Sequence, residues 1–389
     1  MGIFIDFSKA FDTVNHSILF SKLEFYGIQG NMLKLIKSFL TDRDQYVLYG
    51  NKISSKLPVT LGVPQGSVLG PLLFILFIND IINATNIAKF VLFADDSNVF
   101  LSHYDRMTLY ELANSVLCDI FLYCSSNKLV INYEKCCFIE FKKPPNMIKL
   151  KLSFPNNPIE SVEKCKFLGV YINSNLDWND QIAHSRKLAS QAIGALNKMR
   201  SNVPQKILRT VYFSLVKPYF IYAMPIWACN HKCTDFDMLF KLQKKAIRIV
   251  ANQTIKIDGR FQHTKPIFKK LNILTIHNLY FYHTACEAIK VLSSKKPNAI
   301  FNLYALTPSR KLILPKFKKE KLKTKSFIFN SSKILNFISA NKIDYKITHF
   351  STFKLNLKRF LMNRQGISLN NDPNWLPLNY SLFSDVKIM

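Results

Sequence analysis

The hydrophobic positions of this chain change their period near residue 175. Before that point, short apolar runs alternate with helical patches. Ile3-Phe4-Ile5-Asp6-Phe7 reads as a strand. Ile18, Leu19, Leu23 and Phe25 then fall at helical spacing and stop at Gly27, and Leu33, Ile36 and Leu40 predict a second helix over Met32–Leu40. Residues 45–60 read as a hairpin, in which Tyr46–Tyr49 turns at Gly50-Asn51 and returns to Pro58. An apolar helix is predicted over Leu72–Ile82. It is followed by two runs rich in β-formers, Phe90–Phe93 and Val99–Leu101, on either side of Asp95-Asp96. A helix over 107–124, strands at Leu129–Asn132 and Cys137–Phe141, and a hairpin-like pair ending in Lys166–Ile172 complete this part. Strands and helices mixed in this order predict an α/β (α+β) unit with a mixed or antiparallel sheet.

Beyond Trp178 the pattern is helical. Ile182, Ala189, Ala192, Ile193, Leu196 and Met199 form one apolar stripe. Ile207, Leu208, Val211, Tyr212 and Leu215 form a second, expected to stop at Pro218. In the third helix Leu239, Leu242, Ala246, Ile249 and Val250 line one face. Lys241, Lys244, Lys245 and Arg248 line the opposite one, with no acid expected to pair with them. Residues 308–325 read as an exposed basic linker, and Phe353, Leu357, Phe360 and Leu361 mark a final amphipathic helix.

Charge follows the same division. Residues 1–180 carry 17 acids and 17 bases, whereas residues 181–389 carry 8 acids and 36 bases, so the whole net charge of +28 lies in the second part. A neutral, site-bearing segment joined to a basic one suggests a partner that is a polyanion. Nucleic acid fits better than an anionic membrane, because neither terminus carries a lipidation signal or amphipathic anchor. The longest apolar run, Leu72–Ile78, is far too short to span a bilayer, and Met1 leads directly into a strand instead of a signal peptide. Eight cysteines without regular spacing read as reduced intracellular thiols, with a cytoplasmic or nuclear location. Cys229-Asn230-His231-Lys232-Cys233 lacks a second ligand pair at zinc-finger spacing, so no zinc site is expected there.

The candidate chemistry begins with Asp95-Asp96. Two acids at a hairpin tip are ordinary turn residues by themselves. Asp6, at the end of a separate strand, allows three carboxylates to converge on a hard cation. A second candidate is Gly62-Val63-Pro64-Gln65-Gly66-Ser67-Val68-Leu69-Gly70-Pro71, a loop opening into a helix. Its glycines permit close backbone approach to a phosphate or base, and a purely structural turn explains the same residues.

Together these stretches resemble the reverse transcriptase of a non-LTR (LINE-type, jockey-like) retrotransposon. Phe4–Asp12 is similar to the first metal-binding motif of that family, Gly62–Pro71 to its template- and nucleotide-contacting motif, and Phe93-Ala94-Asp95-Asp96 to its metal-binding hairpin. Asn132 and Lys135 fit the motif that follows, and Phe167-Leu168-Gly169-Val170 resembles the primer grip. Leu242–Arg248 is similar, more loosely, to the thumb and C-terminal segment.

The resemblance implies a polymerase palm over residues 1–175, a helical thumb-like segment over 176–255 and a basic C-terminal region over 256–389. It implies RNA-directed DNA synthesis, with an RNA template, a DNA primer and deoxynucleoside triphosphates as partners and no membrane. Asp6, Asp95 and Asp96 would hold two Mg²⁺ ions, for which Mn²⁺ can substitute, about 3.5–4 Å apart. Phe11 would be the steric gate against a ribose 2′-hydroxyl. Pro64, Gln65 and Gly66 would contact nucleotide or template, and Lys135 the departing pyrophosphate. Phe167, Leu168 and Gly169 would grip the primer, and Lys241, Lys244, Lys245 and Arg248 the nucleic-acid backbone. Family polymerases carry a fingers subdomain before the first motif, which here starts at residue 3, so an N-terminally truncated fragment is expected. A noncatalytic nucleic-acid-binding remnant and a maturase-like RNA chaperone are the other readings.

Overall fold

The computed structural model describes residues 1–142, 150–155, 157–228, 233–253, 263–293, 305–306, 312–313, 326–341, 343 and 349–364. The chain divides into two compact units, residues 1–166 with 173–176, and residues 167–172 with 177–389.

The first unit is built on a six-stranded mixed sheet. Its strands are Gly2–Ile5 (β1), Lys89–Phe93 (β6), Asp96–Phe100 (β7), Cys137–Ile139 (β8), Leu152–Phe154 (β9) and Asn157–Ser161 (β10), arranged in the order β6-β7-β1-β8-β10-β9. β1 is antiparallel to both β7 and β8, and only β8 and β10 run parallel. Its four residues are all buried, as its unbroken apolar character requires of a central strand. Between β1 and β6 lie four two-residue strands at Asp44–Gln45 (β2), Leu48–Tyr49 (β3), Lys52–Ile53 (β4) and Leu57–Pro58 (β5). They form the expected hairpin as two short ladders, β3 with β4 and β2 with β5, and all eight residues are exposed.

The helices of this unit are His16–Phe25 (α1), Gly30–Leu40 (α2), Leu69–Ile78 (α3) and Arg106–Ser126 (α4). Asn15 caps α1 by accepting from the Ile18 amide, and Asp105 caps α4 by accepting from the Thr108 amide. The unit closes over one core that includes Ile3, Leu19, Phe74, Phe77, Leu117 and Phe138. The helix expected over Leu72–Ile82 begins three residues earlier and gives way to a 3₁₀ turn at Asn79–Asn83.

The strand expected at Leu129–Asn132 does not form. Ile131 makes a single bridge to Phe7, while Ser8 donates to the Val130 carbonyl and Asn132 to the Asp6 carbonyl. The segment is a loop clipped to the end of β1, because Lys128 turns through the left-handed region at φ 55° as α4 ends.

Lys164–Phe167 (β11) and Val170–Asn173 (β12) form a hairpin through which the chain passes into the second unit. That unit is mostly helical: Asn179–Met199 (α5), Gln205–Val211 (α6), Lys217–Ile221 (α7), Met224–Trp227 (α8), Cys233–Val250 (α9), Lys265–Lys270 (α10), Ile276–Ser293 (α11), Phe327–Ala340 (α12) and Phe350–Arg364 (α13). A two-stranded ladder joins Ala305–Leu306 (β13) to Leu312–Ile313 (β14). The core runs from Ile182 to Leu361 and centres on Trp227, Tyr212, Phe220, Phe236 and Phe353.

Pro218 does not stop the second helical stripe. A π-helix at Tyr212–Val216 carries the chain from α6 into α7, where Pro218 sits in the first turn and its missing N–H costs nothing. The wider π turn also moves the buried face. Leu208, Tyr212, Val216 and Phe220 are buried, whereas Ile207 and Leu215, both expected inside, are exposed. The final amphipathic helix forms as α13, with Phe353, Leu357 and Leu361 buried.

Among the described residues no helix is long and apolar enough to cross a membrane. The six described cysteines whose side chains are placed are all unpaired. Residues 229–232 and most of the basic stretch 308–325 lie outside the described residues.

Candidate active site

The register of the central strands brings the acids together. Ile5 of β1 is opposite Ser97 of β7, so Asp6, one residue on, comes level with Asp96. β6 and β7 pair as far as Phe93 with Asp96, which leaves Ala94 and Asp95 as the turn. Ala94 adopts φ 51°, a left-handed conformation that costs a non-glycine residue about 1–2 kcal/mol. The tight turn holds Asp95 and Asp96 at one end of the sheet, beside Asp6.

The electrostatics report that convergence. Although much of Asp96 is open to solvent, its carboxyl is held above the ordinary carboxylate range. Partial desolvation contributes most, followed by the charges of Asp95 and Asp6. Asp6 Oδ2 is buried and has no hydrogen-bond partner among the described residues. The cation paired with it among those residues is Lys135, with Nζ at 3.5 Å, an ion-pair distance, and the ammonium mostly exposed. Lys135 is brought there by the loop clipped to β1: Asn132 N–H donates to the Asp6 carbonyl at 2.9 Å, and Lys135 N–H turns back to the Asn132 carbonyl at 3.1 Å.

Among the described residues no group of three or more His, Cys, Asp or Glu side chains is gathered into a ready-made metal cage. The three aspartates nevertheless fit a hard divalent ion that needs few protein ligands. They offer only carboxylate oxygens, one of them is buried without a hydrogen bond among the described residues, and partial desolvation followed by the charges of Asp95 and Asp6 raises the proton affinity of Asp96.

The glycine-rich loop packs on the 3₁₀ turn Ala10–Asp12 that follows β1. Gly62 sits at φ +84°, and a Cβ there would come within 2.7 Å of the Asp12 carbonyl oxygen, so only glycine allows the approach. Val63 N–H donates to the Phe11 carbonyl at 2.8 Å, and Gln65 Nε2 donates to Asp12 Oδ1 at 2.8 Å. The Phe11 ring is half-buried and packs against Phe74 with centroids 4.5 Å apart. Pro64 is half-buried, while Gln65 and Gly66 are exposed. The loop is closed onto α3 by Ser67, whose hydroxyl donates to the Pro64 carbonyl and accepts from the Gly70 amide. Beside the loop lies an open cleft of about 480 Å³, lined among others by Asp12, Arg43, Asp44, Pro64 and Gln65. None of the three clustered aspartates lines it.

Asp12 and Ser67 are the residues that motif reading passed over. Asp12 is the anchor of Gln65, and Ser67 holds the loop's shape. The only sequence signal for either is its place inside a motif.

Phe167, Leu168 and Gly169 belong to the second unit. Leu168 at φ 45° and Gly169 at φ 78° make the two-residue turn of the β11–β12 hairpin, the handedness such turns favour. Tyr222 closes over it, donating from its hydroxyl to the Leu168 carbonyl at 2.6 Å.

The basic face of α9 is less uniform than its spacing suggests. Lys241 and Lys245 are exposed. Lys244 is half-buried with its ammonium 4.2 Å from the centre of the Phe240 ring, and burial, followed by Arg248, pushes its pKa down. Arg248 is also half-buried and likewise lowered by desolvation. The expectation of a face without acids is corrected, because Asp237 on the same helix bears on Lys244. The opposite, buried face includes Gln243, which ties α9 to the Leu274 carbonyl, the Ile276 amide and the Tyr212 hydroxyl.

Comparison with known proteins bears on residues 1–172. The family model described as "Reverse transcriptase (RNA-dependent DNA polymerase)" matches residues 1–172. The probable RNA-directed DNA polymerase from transposon BS of Drosophila melanogaster is 26% identical over 303 residues, covering 73% of this chain and 32% of the relative. The RNA-directed DNA polymerase from mobile element jockey of the same organism is 25% identical over 266 residues, covering 64% of this chain and 28% of the relative. The chain thus spans about a third of the length of these relatives. A telomerase structure from Candida tropicalis overlays 69% of this chain and 45% of its own, at 11% identity and a TM-score of 0.37. Residues 1–172 are a reverse transcriptase domain, of the kind carried by non-LTR retrotransposons.

Proposed function

We propose that this chain is the polymerase portion of a non-LTR retrotransposon protein and extends a DNA primer on an RNA template. The observation that carries this reading is the convergence of Asp6, Asp95 and Asp96, with Asp6 Oδ2 buried and lacking a hydrogen bond. In this reading the first unit is the palm, the helices over residues 176–255 serve as the thumb and residues 256–389 as a basic C-terminal region.

Enzymes of this family work with divalent metal ions, and Mg²⁺, with Mn²⁺ as a substitute, suits the all-oxygen donor set. Such ions, when bound, stabilise the attacking primer oxygen and the leaving phosphate oxygen. Asp6, Asp95 and Asp96 hold them. Lys135 neutralises Asp6 until substrate binds and then lies near charge developing on the departing pyrophosphate. Phe11, braced by Phe74, presents a fixed ring edge that excludes a 2′-hydroxyl by volume. Pro64, Gln65 and Gly66 face nucleotide and template. Gln65 is held in place by Asp12, and Gly66 has open space around it for close backbone approach. Phe167, Leu168 and Gly169 grip the primer. On α9, Lys241 and Lys245 reach phosphates directly, with Lys244 and Arg248 behind them.

The test is primer extension by the full chain on an RNA template annealed to a DNA primer, with deoxynucleoside triphosphates and Mg²⁺. Extension is expected, together with a loss of at least about a hundredfold in Asp95→Ala, the scale seen when transition-state charge stabilisation is removed. Extension that survives Asp95→Ala overturns the assignment. A chain that does not extend but binds RNA equally well with and without Asp95 is a noncatalytic binder. The charge imbalance of residues 181–389, 36 bases against 8 acids, supports nucleic-acid binding in either reading.

A further inference from the structure

Away from the carboxylates, the second unit gathers cations at a place that the chemistry above does not use. Arg209 on α6, Lys217 at the start of α7 and Lys358 on α13 are each half-buried. Arg209 and Lys217 share one ring, with the guanidinium carbon 4.9 Å and the ammonium 5.3 Å from the centroid of Phe213. Residues 209, 213 and 217 are four apart, and the π-helix between α6 and α7 keeps all three on one side. Arg209 is anchored through Nε, which donates to the Leu271 carbonyl at 2.9 Å. No hydrogen bond among the described residues uses its two terminal nitrogens. Lys358 comes from α13, whose Leu361 carbonyl accepts from Asn278 Nδ2 of α11 at 3.2 Å.

These charges find no compensation among the described residues. Among the described residues no carboxylate lies within ion-pair distance of Arg209, Lys217 or Lys358. Burial lowers the pKa of both lysines, and the charge of Lys358 on Lys217 and of Arg209 on Lys358 lowers them further. His283 of α11 faces Lys217 with its pKa pushed down to about 4, mainly by burial, and its buried Nε2 has no hydrogen-bond partner. Glu287, the nearby acid, is paired with Lys290 at 2.7 Å.

Half-buried like charges destabilise a fold unless an anion joins them. Phosphate oxygens suit an Arg fork flanked by two ammonium groups, and packing on one ring pre-organises the first two cations. Helices interrupted by a π turn are frequently functional at that turn. We propose that Arg209, Lys217 and Lys358 form a binding site for a backbone phosphate of a nucleic-acid strand. The inference rests on the reading that this chain grips nucleic acid, but not on its catalysing synthesis.

The test is fluorescence anisotropy of a labelled oligouridylate with the full chain across a series of salt concentrations. The variant is Lys217→Met/Lys358→Met, and Lys187→Met/Lys206→Met, at two exposed lysines of the same unit, is the matched control. The test pair is expected to bind roughly tenfold more weakly, with the log–log salt slope reduced by about 0.7, the value for one lost phosphate contact on a single strand. The control pair changes the slope much less, and Lys217→Arg/Lys358→Arg retains it. Without nucleic acid, the Met pair melts at or above the wild type, because repulsion has been relieved. If that pair fails to fold, Arg209→Gln gives the same reading through a slope lower by about 0.7. An unchanged slope with a lowered melting temperature makes these lysines structural and overturns the proposal. Stabilisation of the wild type by inorganic phosphate, with an unchanged oligouridylate slope in the variant, assigns the cluster to free phosphate and also overturns it. The anisotropy readout involves no catalysis, so a failure of primer extension by the wild-type chain does not count against this site.

Discussion

Asp96 stands at the start of β7, where its carboxyl meets partial desolvation and the charges of Asp95 and Asp6, all of which favour the protonated form. A carboxyl whose folded pKa is raised binds its proton more tightly in the folded state, so stability falls as pH rises through that raised value. Asp96→Asn removes one of the repelling charges. It is expected to raise the melting temperature at neutral pH, with a gain that fades as pH drops through the ordinary carboxylate range. The effect should stay under about 1 kcal/mol, because solvent screens a group this exposed. Mg²⁺ should stabilise the wild type more than this variant, since a ligand bound only by the folded state raises stability by mass action. Melting curves over pH, with and without Mg²⁺, decide both points. A gain that persists in acid, or equal stabilisation of the two proteins by Mg²⁺, contradicts the role given to Asp96.

At the scale of elements, the loop from Gly62 to Pro71 is positioned by contacts its own sequence only partly announces. Gly62→Ala forces a Cβ against the Asp12 backbone at φ +84° and should cost about 2 kcal/mol or more. It should also loosen the Gln65–Asp12 hydrogen bond, so primer extension falls by more than the lost stability explains. Denaturant unfolding alongside extension rates separates the two effects, and a variant with wild-type stability would contradict the packing described. Local pattern made much of this unit readable. The unbroken apolar run of β1, the hairpin around Asp95-Asp96 and the glycine spacing each have a local physical cause, and their order supplied the family. What it could not reveal came from distant partners. Glu140 accepts two hydrogen bonds from Arg106 and one from Tyr110, and Lys22 is held by Asp80, Tyr123 and the Phe77 carbonyl. No period links these residues. Pro218 misled for a related reason, because the π turn that accommodates it depends on burying Tyr212, Val216 and Phe220 together in one core. The basic stripe of α9 was legible as charge, but the packing of Lys244 on Phe240 and the charge of Asp237 beside it were not.

At the scale of the molecule, the change of texture near residue 175 corresponds to two hydrophobic cores. One is centred on Phe74, Phe77 and Phe138, the other on Tyr212, Trp227 and Phe236. Units that each close their own core are expected to unfold as separate cooperative blocks. Phe74→Ala and Leu196→Ala each empty a fully buried site, in different cores, at a cost of about 3–5 and 2–5 kcal/mol respectively. Calorimetry should therefore show two transitions, with Phe74→Ala lowering one and Leu196→Ala the other. Charge tells which is which. The first 180 residues carry equal numbers of acids and bases, whereas the rest carry the entire excess of +28 and repel themselves when folded. Added salt screens that repulsion, so the transition sensitive to Leu196→Ala should rise with ionic strength while the one sensitive to Phe74→Ala barely moves. A single transition lowered by both substitutions would mean that the two cores unfold as one, and that the basic helices cannot loosen without the carboxylate site.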